Sequence, residues 1–366
     1  MRSSPVTAVS SKPSLASATG WVESLSPWPE EFGLGRMRAL LATLGNPQRR
    51  FTAIHVVGTN GKSTATRTIA AVLETEGRRT GAYTSPHVSG WAERIVVGGV
   101  EADFEHAVDR VRAAAQEVEA TQFEVLTAAA LLEFAERGVD VAVVEAGLGG
   151  RLDATNVVDA EVVLLTNVAL EHTEVLGDTR EQIAKEKLAV AHAARVVVLP
   201  DNEFADLVPR AAEIVMGDAR KAAETLVGRT ISRDVDVALP GRLEQRDSGE
   251  VWDGAHTPEA VDWLLEKLPA RNYVLCVSVL RDKDVDRLLE RFAQAGRTLV
   301  ATQSSNPRAL GADELSTLAR RYFETVEAVA DPREAVERAR RFGTPLVTGS
   351  LYLLADLYRA EEHESR

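Results

Sequence analysis

Short apolar runs of strand length alternate with helix-forming segments along almost the whole chain, and this alternation restricts the fold more than any other feature. TAIHVVG at 52–58, RTGAYTS at 79–85, DVAVVEAG at 140–147, AEVVLLTNV at 160–168 and ARVVVLP at 194–200 read as strands. Helical segments fall between them: STATRTIAAVLETEG, FEHAVDRVRAAAQEVE, FEVLTAAALLEFAERG and DTREQIAKEKLAVAHA, after a first helix GLGRMRALLATLG. Strands that are apolar on both faces, joined by helical crossovers, imply a parallel sheet covered on each side, an α/β fold. The alternation weakens between Asp201 and Leu239, where short helical fragments and polar stretches are expected, and resumes after Pro240-Gly241. From Val251 a second series (VWDGAH, PEAVDWLLEKL, NYVLCVSV, KDVDRLLERFA, TLVATQ, ADELSTLARRYF, VEAVA, PREAVERARRF, PLVTGS and a last helix) reads as a smaller doubly wound domain. The expected division is 1–20 as a disordered extension, 21–240 as the first domain and 241–366 as the second.

Composition narrows the function classes. The 366 residues suit two domains rather than one, and the formal charge of −13 disfavours nucleic acid and anionic membranes, since no basic patch is segregated in the sequence. No apolar run has the length of a membrane span or a secretory signal, and the single cysteine, Cys276, lies in an apolar run, so a cytoplasmic protein is expected. Met1 to Gly20 holds six serines and no acid but offers no amphipathic Arg-rich face, so it reads as a plain extension rather than a transit peptide.

The chemistry starts at HVVGTNGKST, on the first strand-to-helix junction. There backbone amides of Thr59, Asn60 and Gly61 and of the helix N-terminus can cradle phosphates, Lys62 can reach the β- and γ-phosphates, and the Ser63 or Thr64 hydroxyl can meet Mg²⁺. It is a short phosphate loop, with Val56 where the longer GxxxxGK[ST] form has its first glycine. Ligands of parallel sheets bind at the carboxyl ends of strands, which directs attention to Ser85, Glu145 and the pair Glu171-His172 as groups that could hold Mg²⁺ beside a triphosphate. Lys187, in QIAKEKLAV, reads either as a solvated lysine paired with Glu186 or Asp178, or as a desolvated amine carrying CO₂ as a carbamate.

Taken in order, GTNGKST, YTSPH, TQFEVLTAAAL, VVEAGLGGRLDATNVV, HTEVLGDTREQIAKEK, LPGRLE, WDGAHTPEA, DKDV and LVTGSLYL resemble the folate-directed branch of the Mur ligase family, from about Phe32 to Tyr358. The resemblance implies a P-loop-containing central ATPase domain plus a smaller Rossmann-like C-terminal domain that handles glutamate. It implies an ATP-dependent amide ligase in which a pterin-linked carboxylate becomes an acyl phosphate and is attacked by the amine of L-glutamate. The acid would be dihydropteroate or tetrahydrofolate, and the cofactors ATP and two Mg²⁺; the sequence carries no oligomer signal, so a monomer is expected, with no nucleic-acid or membrane partner. Carried onto this sequence, Thr59, Asn60, Gly61, Lys62 and Ser63 would hold phosphates, with Arg242 and Asp253 contacting ATP. Ser85 and Glu145 would hold one metal, and His172 with carbamylated Lys187 a second. His256 and Ser350 would lie near the incoming glutamate, and Phe32, Gly33, Leu34, Gly35, Arg36, Thr121, Phe123 and Asp153 would line the pterin-side pocket. The segment between Lys187 and Arg242 is shorter than the family leads one to expect, and its helix DARKAAETLVG lacks the asparagine that there contacts the base. Two rival readings are a Mur-type ligase for another acid and a nucleotide-binding pseudo-ligase.

Overall fold

The computed structural model describes residues 17–364. Two sheets organise it. The first is built from β1 (Thr52–Val57), β2 (Thr80–Tyr83), β3 (Ile95–Val97), β4 (Val100–Glu101), β5 (Val141–Glu145), β6 (Val162–Leu165), β7 (Val196–Leu199) and β8 (Glu213–Met216), in the order β4-β3-β2-β5-β1-β6-β7-β8. β1 is therefore central, flanked in parallel by β5 (Val56 opposite Glu145) and β6 (Val57 opposite Leu165). β3 and β4 run antiparallel at one edge, so the sheet is mixed rather than wholly parallel. The helices of this half are α1 (Ala18–Ser24), α2 (Gly35–Thr43), α3 (Lys62–Thr75), α4 (Phe104–Glu117), α5 (Gln122–Glu136), α6 (Thr173–Leu176), α7 (Arg180–Leu188) and α8 (Ala219–Val227). Core residues of β1 divide between the two faces: Ala53 and Val57 pack with α4 and α5, while Ile54 and Val56 pack with α3 and α8.

The second sheet comprises β9 (Glu244–Gln245), β10 (Val251–Trp252), β11 (Val274–Val277), β12 (Thr298–Ala301), β13 (Thr325–Ala328) and β14 (Pro345–Thr348), in the order β13-β12-β11-β14-β10-β9. All pairs are parallel except β9 with β10. Its helices are α9 (Pro258–Lys267), α10 (Val285–Phe292), α11 (Ala312–Ala319), α12 (Pro332–Phe342) and α13 (Leu351–Glu364). The two halves touch: Val88 joins the core of Trp252, Leu353 and Leu354, and a Cβ on Gly241 would lie 3.2 Å from Val88 and 2.5 Å from Leu354.

Two expectations need correction. The 1–20 extension lies mostly outside the described residues, but Ala18 to Gly20 begin α1, whose cap is Ser17 and whose Ala18 and Gly20 are buried; Ala18 and Thr19 amides donate to Glu105. The stretch after Asp201 contains β8, a strand rather than a helical fragment, and α8 packs against α3 behind it. Its cap is Asp218, whose side chain accepts from the Lys221 amide. The expected domain limit at 240/241 falls between β8 and β9, in the turn where Leu239 bridges Arg242.

Candidate active site

The phosphate loop leaves β1 at Gly58 and enters α3 at Lys62 through Gly61, which sits in the left-handed region at φ 77°. Gly58 has φ 148°, and a Cβ there would fall 1.9 Å from Thr166 Oγ1, so only glycine lets the loop lie against the end of β6. That end straps the loop down. Thr59 N donates to Asn167 O at 3.0 Å, Asn60 N donates to Asn167 Oδ1 at 2.9 Å, and Thr166 Oγ1 donates to Asn60 O at 2.8 Å. Thr166 and Asn167 were not singled out from the sequence, although their place at a strand end beside the loop is the signal that could have found them. Lys62 Nζ donates to Thr59 O at 3.0 Å, curling over the loop.

Beneath it the buried Glu145 carboxylate accepts from Ser63 Oγ at 3.1 Å and from the Ser85 amide at 3.0 Å. Burial pushes its pKa up, against the opposing pull of Lys62, the two hydrogen bonds and Arg242. Arg242 belongs to the second half, where its Nη1 donates to Gly241 O at 3.2 Å.

Lys187 is delivered by α7, which opens with a capping box between Thr179 and Gln182. Its side chain is only 2% exposed and donates to Glu171 Oε1 and to Gly58 O, both at 2.8 Å. The solvated alternative is therefore wrong: Glu186 is bound by Arg151 instead, and burial draws the Lys187 pKa down while Glu171 holds it up. His172 begins α6 in the left-handed region, with a half-exposed side chain that has Glu174 at 3.9 Å. Among the described residues no three His, Cys, Asp or Glu side chains converge as a metal cage.

The acid-side candidates form one neighbourhood. Arg36 Nε of α2 meets Glu124 Oε2 at 2.8 Å, and the same oxygen accepts from Thr121 N and Oγ1 in the capping box that opens α5. Phe123 lies 6.1 Å from the Tyr83 ring, and a Cβ on Gly147 would meet Phe123 at 2.5 Å and Asp153 Oδ2 at 3.2 Å. Asp153 is buried and spends its oxygens on its own loop, accepting from Leu148 N at 2.8 Å, Thr155 N at 2.9 Å and Thr155 Oγ1. Burial pushes its pKa up against these bonds. Gly33, Leu34 and Gly35 lead into α2, and exposed Phe32 stands 6.3 Å from Trp28.

In the second half, Asp253 accepts from Leu243 N at 2.7 Å and Ala255 N at 2.8 Å, and burial raises its pKa. His256 Nδ1 lies 2.7 Å from Gly254 O, which fixes that nitrogen as the donor. Burial lowers the His256 pKa, the Lys283 and Arg242 charges add to that, and the bond to Gly254 and the charge of Glu171 in the first half oppose it. Ser350 is buried at the start of α13, its Oγ accepting from Tyr352 N at 3.2 Å.

Comparison with known proteins agrees with this arrangement. Two family models match, the Mur ligase middle domain over 56–233 and the Mur ligase, glutamate ligase domain over 241–351. The dihydrofolate synthase/folylpolyglutamate synthase of Mycobacterium tuberculosis is 31% identical, with 85% of this chain and 83% of that protein covered. The structure of E. coli FolC in complex with DHPP and ADP superposes with a TM-score of 0.83 at 26% identity, covering 96% of this chain and 99% of that one. A Yersinia pestis folylpolyglutamate synthase/dihydrofolate synthase complexed with AMPPNP and Mn ion gives 0.81 at 26% identity, covering 94% and 98%. A strapped phosphate loop over a buried carboxylate, a second α/β half facing it and relatives matched over most of their length place the chain in the dihydrofolate synthase/folylpolyglutamate synthase branch of the Mur ligase family.

Proposed function

We infer that this chain is an ATP-dependent ligase that joins L-glutamate to the carboxylate of a pteroate or folate. The observation that carries the reading is Glu145, buried at the end of the strand beside β1 and bonded at once to the phosphate-loop hydroxyl of Ser63 and to the amide of Ser85. A carboxylate is a poor electrophile until its oxygen becomes a phosphate leaving group, so the first demand is to position the γ-phosphate against the acid. The loop amides and Lys62 hold the phosphates and offset their charge. Transfer of the γ-phosphoryl group to the carboxylate leaves ADP and an acyl phosphate; attack by the glutamate amine then forms the amide, expels phosphate and releases a proton. His256, its pKa lowered by burial, is neutral near pH 7 and is proposed to stand beside the incoming amino acid.

A divalent metal fits Glu145, because its carboxylate and the Ser63 hydroxyl that donates to it are oxygen donors, the kind of set Mg²⁺ shares with phosphate and water; Ser85, whose amide donates to the same carboxylate, is proposed to add its hydroxyl. When bound, such an ion neutralises charge on the phosphates during transfer. Lys187 and His172 are proposed for a second metal. The Lys187 ammonium, desolvated beside the loop, gives up one proton to become the amine, which forms an N–C bond to CO₂ with loss of a second proton, giving an anionic carbamate. Native mass spectrometry with and without bicarbonate tests this: an added CO₂ on wild type and none on Lys187→Ala is expected, and an unmodified active enzyme overturns it.

The function itself is tested by ADP release with L-glutamate and either dihydropteroate or tetrahydrofolate. Release that requires at least one of these acids is expected. No release with either acid, from a protein that binds ATP, rejects the reading.

A further inference from the structure

β1 carries one polar side chain into the core that phosphate binding does not use. His55 is fully buried between apolar neighbours, with Nε2 2.8 Å from Thr155 Oγ1. The Thr155 hydroxyl has one proton and gives it to Asp153 Oδ1. With Asp153 ionised, His55 Nε2 is the donor in its own bond, which makes the ring a neutral Nε2–H tautomer and leaves Nδ1 as an acceptor. Nδ1 is buried with no partner. An imidazole in this place costs desolvation and an unfilled acceptor, where a leucine would cost neither, so its single bond to Thr155 has to account for it.

We propose that His55 is a positioning residue for the acid-binding pocket, acting through the Thr155 hydroxyl to lock Asp153 and the 147–155 loop against Phe123. The relay runs one way, from His55 to Thr155 to Asp153, and ends on a carboxylate that ties both arms of the loop through Leu148 N and Thr155 N. The loop then rests on Phe123, because Gly147 leaves no room for a Cβ between that ring and Asp153. Three residues after His55 the same strand becomes the phosphate loop. One rigid strand thus carries the support of the acid pocket in its middle and the phosphate loop at its end. The ring stays neutral because burial holds its pKa down to about 3.

The inference rests on the ligase reading, and its test separates the two. KM for the acid, KM for ATP and kcat are measured for His55→Leu, Thr155→Val, the double variant and His55→Gln, whose amide nitrogen can reach the same hydroxyl. His55→Leu and Thr155→Val should each raise the acid KM by roughly tenfold, or about 1.4 kcal/mol, while KM for ATP and kcat move less than about twofold. His55→Gln should recover most of the loss, and the double variant should match the single ones because both break the same chain. Parallel rises in the two KM values, or multiplying effects in the double variant, overturn the relay. The near-isosteric Thr155→Val decides the matter if His55→Leu does not fold. A wild type inactive with both acids would reject the ligase reading instead.

Discussion

Two residues of the phosphate loop carry its function in different ways. Lys62 supplies charge, and its removal takes away a contact that strengthens as phosphate charge redistributes, so Lys62→Ala should lower ligation by on the order of a hundredfold or more. Steady-state ADP release measures it, and near-normal activity would mean that ATP binds elsewhere. Gly58 supplies absence of a side chain. With φ at 148° and Thr166 Oγ1 only 1.9 Å from the Cβ position, Gly58→Ala must push the loop off the end of β6. Calorimetry should show nucleotide affinity falling by about tenfold or more, from roughly 1–3 kcal/mol of backbone strain; unchanged affinity would show that the strap is slack. Lys187 is instructive for a third reason. Its ambiguity in the sequence could not be settled there, since its partners Glu171 and Gly58 are 16 and 129 positions away and only the fold brings them together.

Among elements, those that carry the site were the most legible. β1, β5 and β6 are apolar on both faces and end in GTNGKST, Glu145 and TNV, so both their burial and their ligand groups are written locally. The illegible elements are peripheral. β3 and β4 have three and two residues, too few for a period, and β8 is a four-residue edge strand whose Glu213, Ile214 and Met216 are exposed, so its apolar side chains mark no buried face. α8 was readable as the helix DARKAAETLVG, and the structure shows Asp218 as its cap. Asp218→Ala should lower unfolding free energy by about 1 kcal/mol without changing ATP affinity, as read by urea unfolding alongside nucleotide titration. A loss of ATP affinity would give α8 a part in the site beyond support of α3.

Across the whole molecule, two buried imidazoles set a pH dependence. His55 and His87 are both held down to about 3 by burial, and His87 Nδ1 accepts from Arg94 Nε at 2.8 Å, which requires an unprotonated nitrogen. In the unfolded chain both titrate near 6.5. At high pH they are neutral in either state and contribute no slope. As pH falls below 6.5 the unfolded chain binds protons that the folded one refuses, so stability drops, at up to about 1.4 kcal/mol per pH unit for each ring. His87→Gln should reduce that slope in urea unfolding by about half a proton at pH 6.5, rising to nearly one at pH 5. An unchanged slope would mean that the ring is protonated in the fold. The −13 formal charge has a local complement at the ATP side, where Lys62 and Arg242 both act on buried Glu145.

The central place of β1 also dictates when the site comes into being. Its neighbours arrive late along the chain: Glu145 pairs opposite Val56 and Leu165 opposite Val57, each nearly ninety or more positions away. Loop closure over such spans is slow compared with formation of α3, which nucleates next to the loop itself. A fluorescent ATP analogue added during refolding would therefore stay dark while helices form and light up only when the middle three strands have met, which makes nucleotide capture a clock for completion of the first sheet.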